Sequence, residues 1–327
     1  MSHRRRLAAG TLFALAAGLM WGLVFVAPLL LADYPPPLLS FARYLAFGII
    51  ALPIAWLDRA RLAELTRADW REALKLSAIG NLLYYLCLAA AIQRAGAPLP
   101  TMIIGTLPVV IAIVSNRRDA QRDGRLPWRR LAPSLLLIGA GIALVNQAEL
   151  AHRRAGDADL GGYAVGALLA LGAVACWTWY PIRNADWLRA HPGRSPSAWA
   201  TAQGLATLPL ALAGVLAWGA WAHATHQAFE LPFGPTPARF VGLMFAIGLF
   251  ASWLGTLCWN EASQRLPTSL AGQLIVFETL SALAYAFALR REWPGPDTLA
   301  GIALLVVGVA WALRARPQPL AAEATAH

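Results

Sequence analysis

Charged residues inside apolar sequence must find a partner or a task, because lipid offers them no solvation. Glu278 sits near the centre of LPTSLAGQLIVFETLSALAYAFALR, residues 266–290, and no other acid lies as deep in apolar sequence. A carboxylate at mid-bilayer costs at least about 3 kcal/mol on insertion scales, so it is expected to face the interior, where desolvation favours its protonated form. There it could carry a proton, contact a substrate ammonium, or simply hydrogen-bond a neighbouring helix. Arg43, about a third of the way into its own apolar run, could snorkel outward, pair with Glu278, or meet a substrate carboxylate.

Uncharged polar and aromatic side chains form a second pattern. Helical spacing puts Asn81, Tyr85 and Leu88 on one face of a span, and an offset of 171 residues brings Ser252, Thr256 and Trp259 to the matching positions of another. Tyr84 and Asn260 border these faces. Such stripes either line a cavity or hold helices together by hydrogen bonds. Trp21 and Trp177 lie in mid-span, where an indole must pack or stack on a solute. With Tyr84, Tyr85, Trp253 and Trp259 they would form an aromatic chamber. Trp56, Trp199, Trp218, Trp221 and Trp293 fall near span ends and read as interfacial anchors. Gln273, Thr101 and its adaptable neighbour Met102 complete the candidate lining. Pro108 and Pro181 are expected to break their spans and so are candidate hinges.

The elements that must position these groups follow from composition. Of 327 residues, 58% are hydrophobic and 13% charged, and the mean hydropathy is +0.53. That balance belongs to lipid and not to water. A window of about 20 residues gives ten apolar spans: 8–31, 36–57, 73–95, 98–116, 131–149, 162–185, 197–221, 239–264, 267–289 and 297–314. No barrel alternation is present, so the spans are expected to be helices. The run Leu7 to Leu31 is too long for the apolar part of a signal peptide and reads as an uncleaved first helix. With both termini cytoplasmic, loops inside carry twenty Lys and Arg against six outside, which sets that orientation.

The chain also repeats itself. SQRLPTSLAGQLIVFET (263–279) answers IQRAGAPLPTMIIGTLP (92–108), and the offset drifts only through loops. Five spans per copy is an odd number, so the second copy must enter the membrane in the opposite sense. The expected fold is an all-α integral membrane protein of two inverted five-helix repeats, 8–149 and 162–314, with a disordered cytoplasmic tail at 315–327. Such architecture suits a carrier with its substrate site between the halves.

Other classes fit less well. The net charge of +10 sits in short clusters between spans, which serves orientation and not a nucleic-acid surface. Cys87, Cys176 and Cys258 fall inside apolar spans, and His223 with His226 has no further ligand cluster, so neither disulfide, metal nor cofactor is expected. A membrane-embedded enzyme would need clustered interfacial acids, whereas Asp33, Glu149 and Glu261 are scattered. A passive facilitator would lack counterflow. No obligate protein partner is implied.

Taken together, the pair Trp21 and Gly22, Arg43, Pro108, Glu278 and Glu292 resemble the ten-helix exporters of the drug/metabolite transporter superfamily, of the EamA type. The resemblance runs over roughly residues 8–314. It departs at Glu278, followed here by Thr279 where the family often has proline, which puts a standard hinge in the ninth helix in question. It implies a bacterial inner-membrane secondary exporter working by alternating access, with the proton as a candidate coupling ion. Within the family the aromatic chamber looks most like exporters of aromatic and other neutral amino acids. An efflux carrier for drugs or quaternary cations is the competing expectation.

Overall fold

The computed structural model describes residues 3–95, 100, 103–118, 127–151, 160–291 and 293–314. Thr101, Met102, Glu292 and the tail at 315–327 lie outside them. The described residues are helical, in the order α1 (His3–Trp21), α2 (Leu23–Leu30), α3 (Pro36–Leu57), α4 (Arg59–Leu62), α5 (Arg67–Lys75), π1 (Leu76–Leu83) and α6 (Tyr84–Ala95). Then follow α7 (Leu107–Arg118), α8 (Trp128–Ala151), α9 (Leu160–Ala190), α10 (Pro196–Ala224), α11 (Pro237–Ile247), π2 (Gly248–Leu254), α12 (Gly255–Arg265), α13 (Thr268–Leu274), α14 (Val276–Arg290) and α15 (Pro296–Arg314).

Seven of the described helices are long and apolar enough to cross a membrane: Arg5–Leu30, Pro36–Leu57, Arg67–Ala95, Gly161–Ala190, Pro196–Ala224, Pro237–Arg265 and Leu270–Leu289. Ten such spans are expected from the sequence. The difference lies in the fourth, fifth and tenth. In the fourth a turn at Gly105 and Thr106 leaves only α7 beyond it, and the apolar stretches of α8 and α15 are the shorter Leu131–Leu144 and Pro296–Gly308.

Four of the membrane helices depart from a regular α-helix, two at turns and two at π segments. At Gly22 the chain turns between α1 and α2. At Ile275 it turns between α13 and α14, and the Glu278 amide bonds the Ile275 carbonyl at 2.9 Å in a tight three-residue closure. The ninth span therefore carries its break without the proline whose absence put one in question. In the third and eighth spans the ladder widens to a π segment, π1 and π2, which inserts about one extra residue per turn and re-aims the side chains that follow. Pro181 behaves otherwise: α9 runs unbroken from Leu160 to Ala190 through it. One lost hydrogen bond is tolerated where well-formed turns continue on both sides. Pro108, the second residue of α7, needs no bond there and starts the helix after the turn.

Helices pack in matched pairs. α1 lies against α12 and α14, as α9 lies against α6 and α7; α3 packs on α10 and π2, as α10 packs on α3 and π1; α7 meets α13 and α8 meets α15. Residues before 119 and after 182 are tied by ion pairs at one end of the bundle. Glu72 binds Arg183 at 2.5 and 3.2 Å, Arg118 binds Asp186 at 2.5 Å, and Glu64 binds Arg194. The capping box of α5, Thr66 with Asp69, also takes the Trp187 indole N–H at 2.8 Å. At the other end the Tyr34 hydroxyl donates to the Phe233 carbonyl at 2.9 Å, accepts from the Thr236 amide at 2.9 Å, and its ring stacks on Phe240.

Gly80 in π1 shows how tightly these pairs close. A Cβ there would fall 2.2 Å from Cδ2 of Tyr180. Gly80→Ala is expected to lower the unfolding temperature of the purified protein, because overpacking costs about 1–3 kcal/mol against a propensity gain of at most about 1 kcal/mol. Gly219→Ala, with nothing within 4 Å, should leave it equal or higher. Thermal unfolding followed by tryptophan fluorescence reads both.

Candidate functional site

Arg43 points inward from α3 and is 3% exposed, which rules out snorkelling. Its Nε donates to the Ser252 hydroxyl of π2 at 3.2 Å, and that hydroxyl donates to the Ile247 carbonyl at 3.3 Å. The guanidinium carbon lies 4.8 Å from the centre of the Tyr44 ring and 4.5 Å from that of Tyr85, and these π faces attract the cation. The Tyr85 hydroxyl donates to the Val24 carbonyl at 3.3 Å. Nη1 of Arg43 has no protein partner.

Glu278, also 3% exposed, occupies the first turn of α14. It is seated there because α1 comes close: Gly18 would place a Cβ 3.0 Å from the Glu278 amide nitrogen, and Gly22 one 2.7 Å from Cβ of Ser281. Small residues at this four-residue spacing let two membrane helices bring their backbones together. Glu278 lies within electrostatic range of Arg43 and of Tyr84. Among the described residues no ion pair joins Glu278 to Arg43, and its Oε2 has no protein partner. Gln273 in α13 is 1% exposed, with neither amide atom partnered by protein.

Four of the aromatic groups expected to converge, Trp21, Trp177, Trp259 and Tyr84, do so. Trp21 meets Trp177 edge-on at 5.0 Å and Trp259 at 5.2 Å, and Trp177 is stacked between Tyr84 at 4.8 Å and Tyr180 at 4.9 Å. The indole N–H groups of Trp177 and Trp259 and the Tyr84 hydroxyl are buried without a protein partner. A buried polar group left unpaired costs roughly 1–3 kcal/mol, so this concentration of unpaired donors and acceptors near buried Arg43 and Glu278 makes the region the candidate site. Asn81, Tyr85 and Leu88, and Ser252, Thr256 and Trp259, are all buried, so both stripes turn inward.

Other polar groups are structural glue. The Asn184 amide donates to Asn260 at 2.8 Å, and its oxygen accepts from the Trp199 indole at 2.9 Å and from Gln203 at 3.1 Å. Gln203 in turn accepts from the Tyr180 hydroxyl at 2.8 Å, which also meets the Thr256 side chain. Trp199 is thus no interfacial anchor: it is fully buried and stacked on Trp187 at 3.5 Å, because Asn184 supplies the acceptor its N–H needs. Trp218 is buried against Phe229 as well. Trp56, Trp221 and Trp293 are exposed. Trp253 bonds Thr201 and makes no ring contact with the chamber indoles. Sequence reasoning missed Tyr44 and Tyr180, each adjacent to or one turn from a residue it did single out, and it missed Asn184 and Gln203 entirely.

Residues 8–118 match the EamA-like transporter family. The inner membrane protein YtfF of Escherichia coli (strain K12) is 57% identical over 309 residues, covering 94% of this chain and 96% of that protein. The uncharacterized transporter YwfM of Bacillus subtilis (strain 168) is 24% identical over 302 residues, covering 91% and 92%. A solved crystal structure superposes on 93% of this chain and 96% of its own with a TM-score of 0.69 at 19% identity, a likeness of fold. Close identity over nearly the whole length, together with the family match, leads to one conclusion: the chain belongs to the EamA-like transporter family.

Proposed function

We propose that this protein is a secondary transporter that exports aromatic and other neutral amino acids, or similar small metabolites, across the bacterial inner membrane. The observation that carries the reading is the buried cluster in which stacked indoles and tyrosines lie in electrostatic or ring contact with Arg43 and Glu278, with unpartnered polar atoms on these two and on Gln273. Aromatic faces suit an apolar side chain, and the unpaired donors and acceptors suit its polar end. In this reading Trp21, Tyr84, Tyr85, Trp177 and Trp259 bind apolar groups, Asn81, Ser252, Thr256 and Gln273 hold polar ones, and Glu278 senses a proton or the substrate amine. The relatives agree in kind: one is named an inner membrane protein and another a transporter.

Alternating access of two inverted halves, 8–149 and 162–314, accounts for the matched helix pairs and for π segments at corresponding places in the third and eighth spans. The interruptions at Gly22 and Ile275 are the hinges this mechanism would use, with the start of α7 at Pro108 a third. The ion pairs Glu72–Arg183 and Arg118–Asp186 would then form the cytoplasmic gate. Efflux of organic cations is the second reading, favoured by an acid beside aromatic faces.

Trp177→Ala and Tyr84→Ala are expected to reduce transport roughly two- to tenfold while expression is preserved, since each removes a stacked face worth about 0.5–1.5 kcal/mol. Uptake assays with expression checked by immunoblot measure this, and unchanged transport in both variants would remove the chamber from the mechanism. Radiolabelled phenylalanine should also enter liposomes preloaded with unlabelled neutral amino acid by counterflow. A pH gradient should modulate that flux in the wild type and not in Glu278→Gln. No counterflow with any amino acid, alongside competition by organic cations, would favour the second reading.

A further inference from the structure

An arginine and a glutamate buried in one low-dielectric interior are ready partners for an ion pair, since the attraction between their charged forms is far stronger there than in water. Here, among the described residues, no ion pair joins Arg43 to Glu278. Arg43 is held by its bond to Ser252 and by the rings of Tyr44 and Tyr85, while α1 closes on the backbone of Glu278 through Gly18. Each side chain is 3% exposed, and each keeps one polar atom, Nη1 of Arg43 and Oε2 of Glu278, without a protein partner. The tertiary structure therefore keeps a guanidinium and a carboxyl group apart, with Tyr84, stacked on Trp177, in electrostatic range of both.

We propose that Arg43 and Glu278 are the two poles of a zwitterion site, in which Arg43 Nη1 takes the carboxylate of a substrate and Glu278 takes the ammonium of the same molecule. This assignment rests on the amino-acid reading above and narrows it to molecules that carry both groups. Charge balance supports it: a zwitterion enters without adding net charge to the chamber. An organic cation would bring an uncompensated positive charge beside Arg43, and an organic anion a negative one beside Glu278, each at the cost of burial without a full set of partners. Tyr44 is a positioning residue, and Ser252 and Tyr85, besides their own contacts to substrate, also hold Arg43 off Glu278.

The test is tryptophan-fluorescence titration of the full-length purified protein with L-phenylalanine, L-phenylalaninamide, which lacks the carboxylate, and 3-phenylpropionate, which lacks the amine. The wild type should bind phenylalanine roughly ten- to a hundredfold more tightly than either analogue, as the loss of one charge-assisted bond predicts. Arg43→Gln should abolish the preference over the amide and keep the preference over phenylpropionate, and Glu278→Gln should do the reverse. Arg43→Lys, which keeps the charge, should retain part of the preference over the amide, and size-exclusion profiles identify any variant that fails to fold. Variants that lose or keep both preferences together would overturn the pole assignment while leaving an amino-acid carrier in place. A folded wild type that binds none of the three probes, or binds the amide best, would overturn the amino-acid reading itself.

Discussion

A guanidinium inside a membrane bundle sets the terms for much of what surrounds it. On insertion scales an arginine at mid-span costs about 3 kcal/mol, and Arg43 has neither snorkelled to an interface nor paired with an acid. Its stabilisation comes from one hydroxyl and two aromatic faces, drawn from α3, π2 and α6. π2 lies far along the chain from α3 and α6, so the packing of α3 against both α6 and π2 is inseparable from holding this charge.

The same constraint explains where the helices are irregular. A lipid-exposed break would leave backbone groups unpaired, so breaks are tolerated only where protein or a solute can satisfy them. The turns at Gly22 and Ile275 fall where α1 meets α14, beside Glu278, and the π segments carry Asn81 and Ser252. Irregular backbone and the candidate side chains thus share one region, which the regular helices α8, α10 and α15 flank.

Two polar systems in the interior differ in how completely they are satisfied. The Asn184, Asn260, Trp199 and Gln203 network gives each of its amide and indole donors an acceptor and joins α9, α10 and α12. A few turns away, Trp177, Trp259, Tyr84, Gln273, Arg43 and Glu278 keep polar atoms open. A closed network stabilises the bundle, whereas an open one costs stability unless something polar binds there. That contrast separates scaffold from site more sharply than burial, which both sets share.

Sequence alone determined the membrane class, the positions of the long helices, and the inward faces through Asn81, Tyr85, Ser252 and Trp259, because apolar periodicity reports which side of a helix avoids lipid. It singled out Glu278 and Arg43 because charge inside apolar sequence is rare on energetic grounds alone. Only the tertiary structure decided what each charge meets. Arg43 and Ser252 stand 209 positions apart, and nothing local to either says that a serine and two tyrosine rings, rather than Glu278, would receive the guanidinium. The breaks were hidden for a related reason: Pro181 sits in an intact helix while Ile275, a good membrane residue, sits in a turn. Backbone irregularity there follows from close approach of α1 through Gly18 and Gly22, and that contact exists only when the two helices are already side by side.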